Sequence, residues 1–262
     1  MKIVLIGAGN VGFHLGIKLQ KVGANVMQVF SRTAVKAEHL ANKIKAEPIT
    51  KVKKIIEDAD LYILAVKDDA IISIVKKIAK TAIKSKLVVH TSGGTNTADM
   101  GAYLDNFGSF YPLQTFSIAK NPNWETIPIC VDANSKKGKK TLLKLAKKIT
   151  HKTYEINDEQ RAILHVAAVF VNNFSNHLFH IGATICEQES LSFDILKPLI
   201  QETVDKLAAG IPAEMQTGPA LRNDKKTIAT HLDYLEKHPD LRKIYKELTA
   251  SIQNSKIKHG DF

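Results

Sequence analysis

The sequence predicts an α/β fold, a doubly wound Rossmann-type parallel sheet followed by an all-α C-terminal domain, on three observations. An aliphatic run at the start passes without a spacer into three glycines at dinucleotide-binding spacing. Short apolar segments then alternate with amphipathic ones up to about residue 155. Beyond Asp158 strand signals stop and helical periodicity takes over. The expected division is a dinucleotide-binding domain over 1–155 and a helical domain over 156–262.

Lys2 to Ile6 is almost wholly aliphatic, as suits a parallel strand covered on both faces. Gly7, Gly9 and Gly12 follow at once. The first permits a tight turn, the second lets backbone approach a pyrophosphate, and the third lets the next helix lie close on the strand. That helix, Val11 to Lys21, begins with orphan amides that favour an anion, so Asn10 and Val11 join the glycines as candidate phosphate ligands.

Asn25 to Phe30 makes the second strand and ends at Ser31-Arg32-Thr33. A site for NAD places Asp or Glu there to bind the ribose 2′-hydroxyl, whereas a small hydroxyl residue followed by arginine suits a 2′-phosphate. NADP is therefore expected over NAD. Helix Ala34 to Lys43, a short strand near Ala46 to Ile49 and a helix over Val52 to Asp58 come next. The fourth strand, Asp60 to Val66, carries Lys67-Asp68-Asp69 at its end, with Asp68 expected to cap a helix over Ala70 to Lys80. The fifth, Lys86 to Thr91, opens into Ser92-Gly93-Gly94. Ligands of such sheets lie outside the carboxyl ends of the strands, so Ala65, Val66, Lys67 and Asp68, with Thr91 to Gly94, are expected at the nicotinamide end. Gly108 to Phe116, Ile127 to Asp132 and Thr153 to Ile156 extend the same sheet, with helix Lys136 to Ile149 among them.

From Asp158 to about Glu187 there is no proline and one glycine, which predicts one long helix. Ile163, Ala167, Phe170, Val171, Phe174, Leu178, Ile181 and Ile185 share an apolar arc at α-helical periodicity. Counted from His165, Asn172, Asn176 and Glu187 fall within about 40° and Asn173 and His180 within about 80°. A stripe of Asn and His, each able to donate and accept, suits the lining of a polar cleft. A metal site is not expected, because His177 and His180 have no carboxylate at helical spacing. Helices over Asp194 to Gly210, Lys225 to Lys237 and Asp240 to Asn254 follow, with a rigid loop Thr217 to Asp224 holding Arg222 and Asp224.

The 262 residues carry 37 Lys and Arg against 26 Asp and Glu, a net charge of +11. The lysines cluster on helix faces without interleaved aromatics, which argues against a nucleic-acid surface, while a positive field helps capture an anionic cofactor. The longest late apolar run, Val166 to Val171, is far too short for a bilayer, and no N-terminal signal is expected. Two isolated cysteines, Cys130 and Cys186, suit a reducing, cytoplasmic compartment.

Several of these stretches occur together: the glycine turn, Ser31-Arg32-Thr33, His90 to Gly93, Gly108 to Phe116, His165 with Ala167 to Phe174, and Thr217 to Ala220 with Arg222 and Asp224. Over essentially the whole chain they resemble a family of Rossmann-like NADP oxidoreductases, described as similar to deazaflavin-dependent enzymes, with a helical C-terminal domain of undefined function. The chain is more distantly similar to pyrroline-5-carboxylate reductase and to the 6-phosphogluconate and 3-hydroxyacid dehydrogenases. There the helical domain commonly mediates dimerisation and completes the active site, which implies a homodimer through the C-terminal helices. Tyr111 and Lys67 depart from the histidine and proline common in relatives. The helix lysine that hydroxyacid dehydrogenases place four residues before an asparagine is replaced here by Ala168 and Val169.

The expected function is hydride transfer between NADP(H) and a small carbonyl, imine or related acceptor in an interdomain cleft. Ser92, His165 and Asn173 are the candidate catalytic residues, His165 foremost because its reference pKa lies near neutrality. With the lysine missing, an iminium suits the site better than an alcohol. The competing expectation is a dimeric NADP-binding sensor without turnover.

Overall fold

The computed structural model describes residues 1–254. The expected helical domain runs to 262, so its last eight positions lie outside the described residues. The first part of the chain runs β1 (Lys2–Ile6), α1 (Asn10–Lys21), β2 (Asn25–Phe30), α2 (Ala34–Ile44), β3 (Glu47–Ile49), β4 (Leu61–Leu64), α3 (Asp68–Ile78), β5 (Leu87–His90), α4 (Ala98–Gly101), β6 (Asn106–Pro112), β7 (Ile129–Ala133), α5 (Lys136–Ile149) and β8 (Thr153–Glu155). The eight strands form one sheet in the order β3-β2-β1-β4-β5-β6-β7-β8. Every pairing is parallel except β6 with β7. The first six strands thus follow the Rossmann order, with the topological switch point between β1 and β4.

β1 lies at the centre with Ile3, Val4, Leu5 and Ile6 fully buried. Ile3 and Leu5 join the core layer that holds Leu15, Leu40 and Leu142, and Val4 and Ile6 join the opposite layer with Ile71 and Val75. The period of two along the strand thereby serves two helical layers at once.

Two sequence expectations in this region are corrected. The helix expected over Val52 to Asp58 is a single 3-10 turn, Val52–Lys54. Side chains take over the backbone bonds that a helix would need: Gln28 Oε1 accepts from Ile56 N at 3.0 Å, and Tyr62 donates to Ile56 O at 2.8 Å. The helix expected from Ala70 begins at Asp68, with Lys67 as its N-cap and no side-chain cap. Asp68 therefore stands in the first turn, where its charge complements the helix dipole, and does not cap.

After β8 the chain is helical: α6 (Asp158–Ala168), a π-helical turn (Val169–Phe174), α7 (Ser175–Gln188), α8 (Lys197–Asp205), α9 (Lys225–Tyr234) and α10 (Pro239–Asn254). A capping box starts α6, Asn157 accepting from Gln160 N and Gln160 accepting from Asn157 N. The single uniform helix expected from Asp158 is thus interrupted by a π turn. Each i→i+5 closure uses one residue more than an α turn, so positions beyond Phe174 are rotated away from a uniform 100° count. The helix expected over Asp194 to Gly210 is regular only through α8, with 3-10 turns at Phe193–Leu196 and Lys206–Ala208.

Two compact units divide the chain, Met1–Asn173 and Phe174–Phe262. The first therefore keeps α6 and most of the π turn together with the sheet.

Candidate functional site

The glycine turn after β1 is built by close approaches that no side chain would allow. Gly7 adopts φ +122°, donates to Phe30 O at 2.8 Å, and a Cβ there would lie 2.1 Å from Ala65 O. A Cβ on Gly12 would lie 2.1 Å from Gly7 O. Gly9 differs: a Cβ there would meet nothing within 4 Å, so its backbone faces open space. The first intrahelical bond of α1 runs from Phe13 N to Gly9 O at 2.8 Å, which leaves the earlier amides at Asn10, Val11 and Gly12 as orphan donors. The Asn10 side chain is already committed to Phe116 O at 2.9 Å, and Val11 packs against the core. These positions offer main-chain N–H groups, the chemistry a pyrophosphate requires.

In front of this turn lies a cleft of about 860 Å³. Of the residues singled out in the sequence, Gly7, Gly9, Ser31, Arg32, Thr33, Ala65, Val66 and Lys67 line it, while Asn10, Val11, Gly12 and Asp68 do not. The sequence reading missed four further cations in the wall, Lys36, Lys51, Lys53 and Lys77. Lys36 stands four residues after Arg32, and Lys51 and Lys53 follow the end of β3, so the strand-end rule that selected Arg32 could have reached them. With Arg32 and Lys67 they give the cleft six cationic side chains and no carboxylate. The wall fits a polyanionic dinucleotide: a glycine turn with open space at Gly9, orphan amides at a helix start, and a cationic rim.

A second cluster forms where β5, β6 and α6 meet. Tyr111 Oη lies 3.3 Å from His165 Nδ1, with the rings edge-on at 6.3 Å between centroids. Gly93 makes this possible, since a Cβ there would lie 2.6 Å from His165 Nδ1 and 2.9 Å from Tyr111 Cζ. At Gly94 a Cβ would be 3.8 Å from both His165 Cδ2 and Asp68 Oδ2, so Asp68 borders the same spot. Burial pushes the Tyr111 phenol above its ordinary pKa, with smaller upward contributions from Cys130 and Asp68 and a downward one from Arg161. Ser92 is buried, and its Oγ accepts from Gly94 N at 3.1 Å and Thr95 N at 2.9 Å, while its hydroxyl proton has no acceptor among the described residues. Asn173 is exposed on the π turn, and no hydrogen bond joins it to His165 or Ser92 among the described residues.

Arg161 holds α6 in place. It is 1% exposed, donates to Ser109 Oγ at 2.9 Å and to Thr95 O, and pairs with Asp158 at 2.7 Å. Asp158 also accepts from Thr97 N and Thr97 Oγ1, both at 2.8 Å. Burial alone would raise the Asp158 pKa, but the Thr97 and Arg161 bonds outweigh it and hold the carboxyl below its ordinary range. Ser109 and Tyr111 are two apart on β6, a rise of about 6.7 Å, while Arg161 and His165 are four apart on α6, a rise of about 6 Å. The near match lets one strand face grip two successive helix turns. Beneath them His90 is fully buried, accepts from Ser92 N at 3.1 Å, and is pushed down to about 4 by burial and by Arg161, against an opposing pull from Asp158.

Comparison with known proteins agrees with this architecture. Residues 2–94 match the family model described as "NADP oxidoreductase coenzyme F420-dependent", and residues 127–252 match "Domain of unknown function (DUF2520)". A solved structure of a "putative NADP oxidoreductase" from Bacteroides fragilis is 36% identical, covers 96% of this chain and 97% of its own, and superposes with a TM-score of 0.90. The chain belongs to this NADP oxidoreductase family. An imine reductase from Myxococcus stipitatus, solved in complex with NADP+, shares the fold at a TM-score of 0.69 and 16% identity, over 99% of this chain and 96% of its own. Among curated proteins, a glutamyl-tRNA reductase from Sulfurisphaera tokodaii is 38% identical over 68 residues, 25% of this chain. This chain spans only 16% of that relative's length.

Proposed function

We propose that the protein is an NADP-dependent oxidoreductase that moves hydride between NADP(H) and a small carbonyl, imine or related acceptor beside His165 and Tyr111. The observation that carries this reading is the cleft in front of the glycine turn, walled by six cations and no carboxylate. Main-chain amides at Asn10, Val11 and Gly12 bind the pyrophosphate, and Arg32, flanked by Ser31 and Thr33, binds the 2′-phosphate that distinguishes NADP from NAD. When bound, the cofactor supplies or accepts the hydride. Ala65 to Lys67 and Ser92 to Gly94, at the carboxyl ends of β4 and β5, receive its nicotinamide end.

In the reducing direction, carbon gains hydride and the heteroatom gains electron density. His165 hydrogen-bonds that heteroatom, the free hydroxyl proton of Ser92 is a second donor, and Asn173 is an additional polar contact. The proton that completes the alcohol or amine comes from solvent water. Two further features belong to the proposal. Ile163 on α6 and Phe170 and Val171 on the π turn are 64%, 63% and 75% exposed, apolar area that a second copy of the chain would cover as a homodimer. Both cysteines are free and buried, which fits a reducing, cytoplasmic setting.

The test is NADPH oxidation against a panel of ketoacids, cyclic imines and deazaflavin. Turnover with at least one acceptor, reduced tenfold or more in His165→Ala, supports the assignment. Tight NADPH binding with no turnover of any acceptor replaces it with a nucleotide sensor.

A further inference from the structure

His165 has two ring nitrogens in unlike surroundings. Nδ1 faces the Tyr111 hydroxyl at 3.3 Å and is closed in by Gly93, whose missing Cβ would fall 2.6 Å away. Nε2 makes no hydrogen bond among the described residues. A neutral imidazole carries its single proton on one nitrogen only, and which one depends on the partner of the other. An imidazole lone pair is a far better acceptor than a phenol oxygen, so the Tyr111–His165 contact is strongest when the phenol donates.

We propose that Tyr111 is a positioning residue: its hydroxyl donates to Nδ1 and holds neutral His165 in the tautomer that carries its proton on Nε2. The ring then presents a fixed N–H donor to the reacting heteroatom instead of a lone pair. The inference rests on the oxidoreductase reading for its chemical use, though not for its geometry. Burial keeps the Tyr111 phenol protonated, so it does not leave as phenolate to supply a proton relay. His165 therefore polarises the acceptor by hydrogen bonding as hydride arrives, and does not serve as its acid. Asp68 at the start of α3 and Arg161 one turn earlier on α6 act on the Tyr111 phenol in opposite senses, Asp68 upward and Arg161 downward.

A substrate class follows. An N–H donor matches an acceptor whose heteroatom has a lone pair, a ketone above all, whose alkoxide can then take its proton from water. A protonated iminium would set N–H against N–H. On this proposal the acceptor differs from the iminium that the missing helix lysine suggested.

The experiment is a long-range 1H–15N spectrum of protein carrying 15N-histidine, at pH 8 and without nucleotide. His90 is an internal standard, because Ser92 N donates to its Nδ1 and fixes its proton on Nε2. The wild-type His165 pattern is expected to match that of His90, and in Tyr111→Phe the Nδ1-protonated form of His165 is expected to rise severalfold. Unchanged His90 and His14 signals in the variant show that the fold has survived. A wild-type His165 protonated on Nδ1, or a tautomer ratio indifferent to Tyr111→Phe, overturns the proposal. Because the readout needs neither cofactor nor acceptor, its failure leaves the NADP reading standing, and a failure to bind NADPH leaves the tautomer result standing.

Discussion

Gly93 and His165 touch so closely that a methyl group on the first would sit 2.6 Å from Nδ1 of the second. Gly93→Ala must therefore displace the imidazole or the Tyr111 ring, which the same methyl would approach to 2.9 Å. Overpacking of this kind costs about 1–3 kcal/mol. Urea denaturation should report that loss, and acceptor reduction should fall at least tenfold while NADPH still binds. Wild-type turnover in Gly93→Ala would mean that the His165 position is not critical.

Gly7, Gly9 and Gly12 should respond differently to the same change. A Cβ on Gly7 or Gly12 would lie 2.1 Å from a backbone carbonyl oxygen, and one on Gly9 would enter open space. Gly9→Val is expected to keep the wild-type melting temperature and lose tenfold or more in NADPH affinity, read by nucleotide fluorescence. Gly7→Val and Gly12→Val should instead lower the melting temperature. Full NADPH affinity in Gly9→Val would move the dinucleotide out of this cleft.

The Arg161–Asp158 pair fastens α6 to β6 through Ser109 and to the loop after β5 through Thr95 and Thr97. Removing one partner leaves a buried charge, so Asp158→Ala should cost about 3 kcal/mol at neutral pH. Combining it with Arg161→Met should cost less than the two single losses added. Because the folded-state pKa of Asp158 is depressed, its contribution is present above about pH 3.9, the unfolded value, and disappears as pH falls through the folded value. Additive losses in the denaturation series would show that the pair is not coupled.

His90 governs a higher pH window. Its imidazole titrates near 4 in the folded chain against about 6.5 when unfolded, so between those values the unfolded chain binds the extra proton and stability falls as pH falls. The loss is about 3 kcal/mol across the window. Denaturation at pH 7.0 and 4.5 should show a smaller drop for His90→Gln than for the wild type. An equal drop in both would assign the acid sensitivity elsewhere.

Much of the first unit was legible in the residues. Continuous apolar runs identify strands buried on both faces, and the strand–glycine–helix junction identifies the phosphate end, because both signals are local. What sequence alone missed depends on distant partners. The stretch after Val52 has a helical pattern, yet Gln28 and Tyr62 capture its backbone groups. Tyr111 was noted only as a departure from relatives, because its pairing with His165 requires β6 to lie under α6, 54 residues later. The π turn leaves no local composition signal, so the expected alignment of His165 with Asn172 and Asn176 assumed a uniform helix. Arg161, fully buried, was invisible without Ser109, Thr95 and Asp158 around it.

Isothermal calorimetry of the wild-type protein and of Arg32→Ala, each titrated with NADPH and with NADH, tests the central claim most directly. The cationic cleft predicts that the wild type binds NADPH more tightly than NADH, and that Arg32→Ala loses about ten- to hundredfold in NADPH affinity with little change for NADH. Equal affinity for the two nucleotides in the wild type, or no association of either at millimolar concentration, would contradict it.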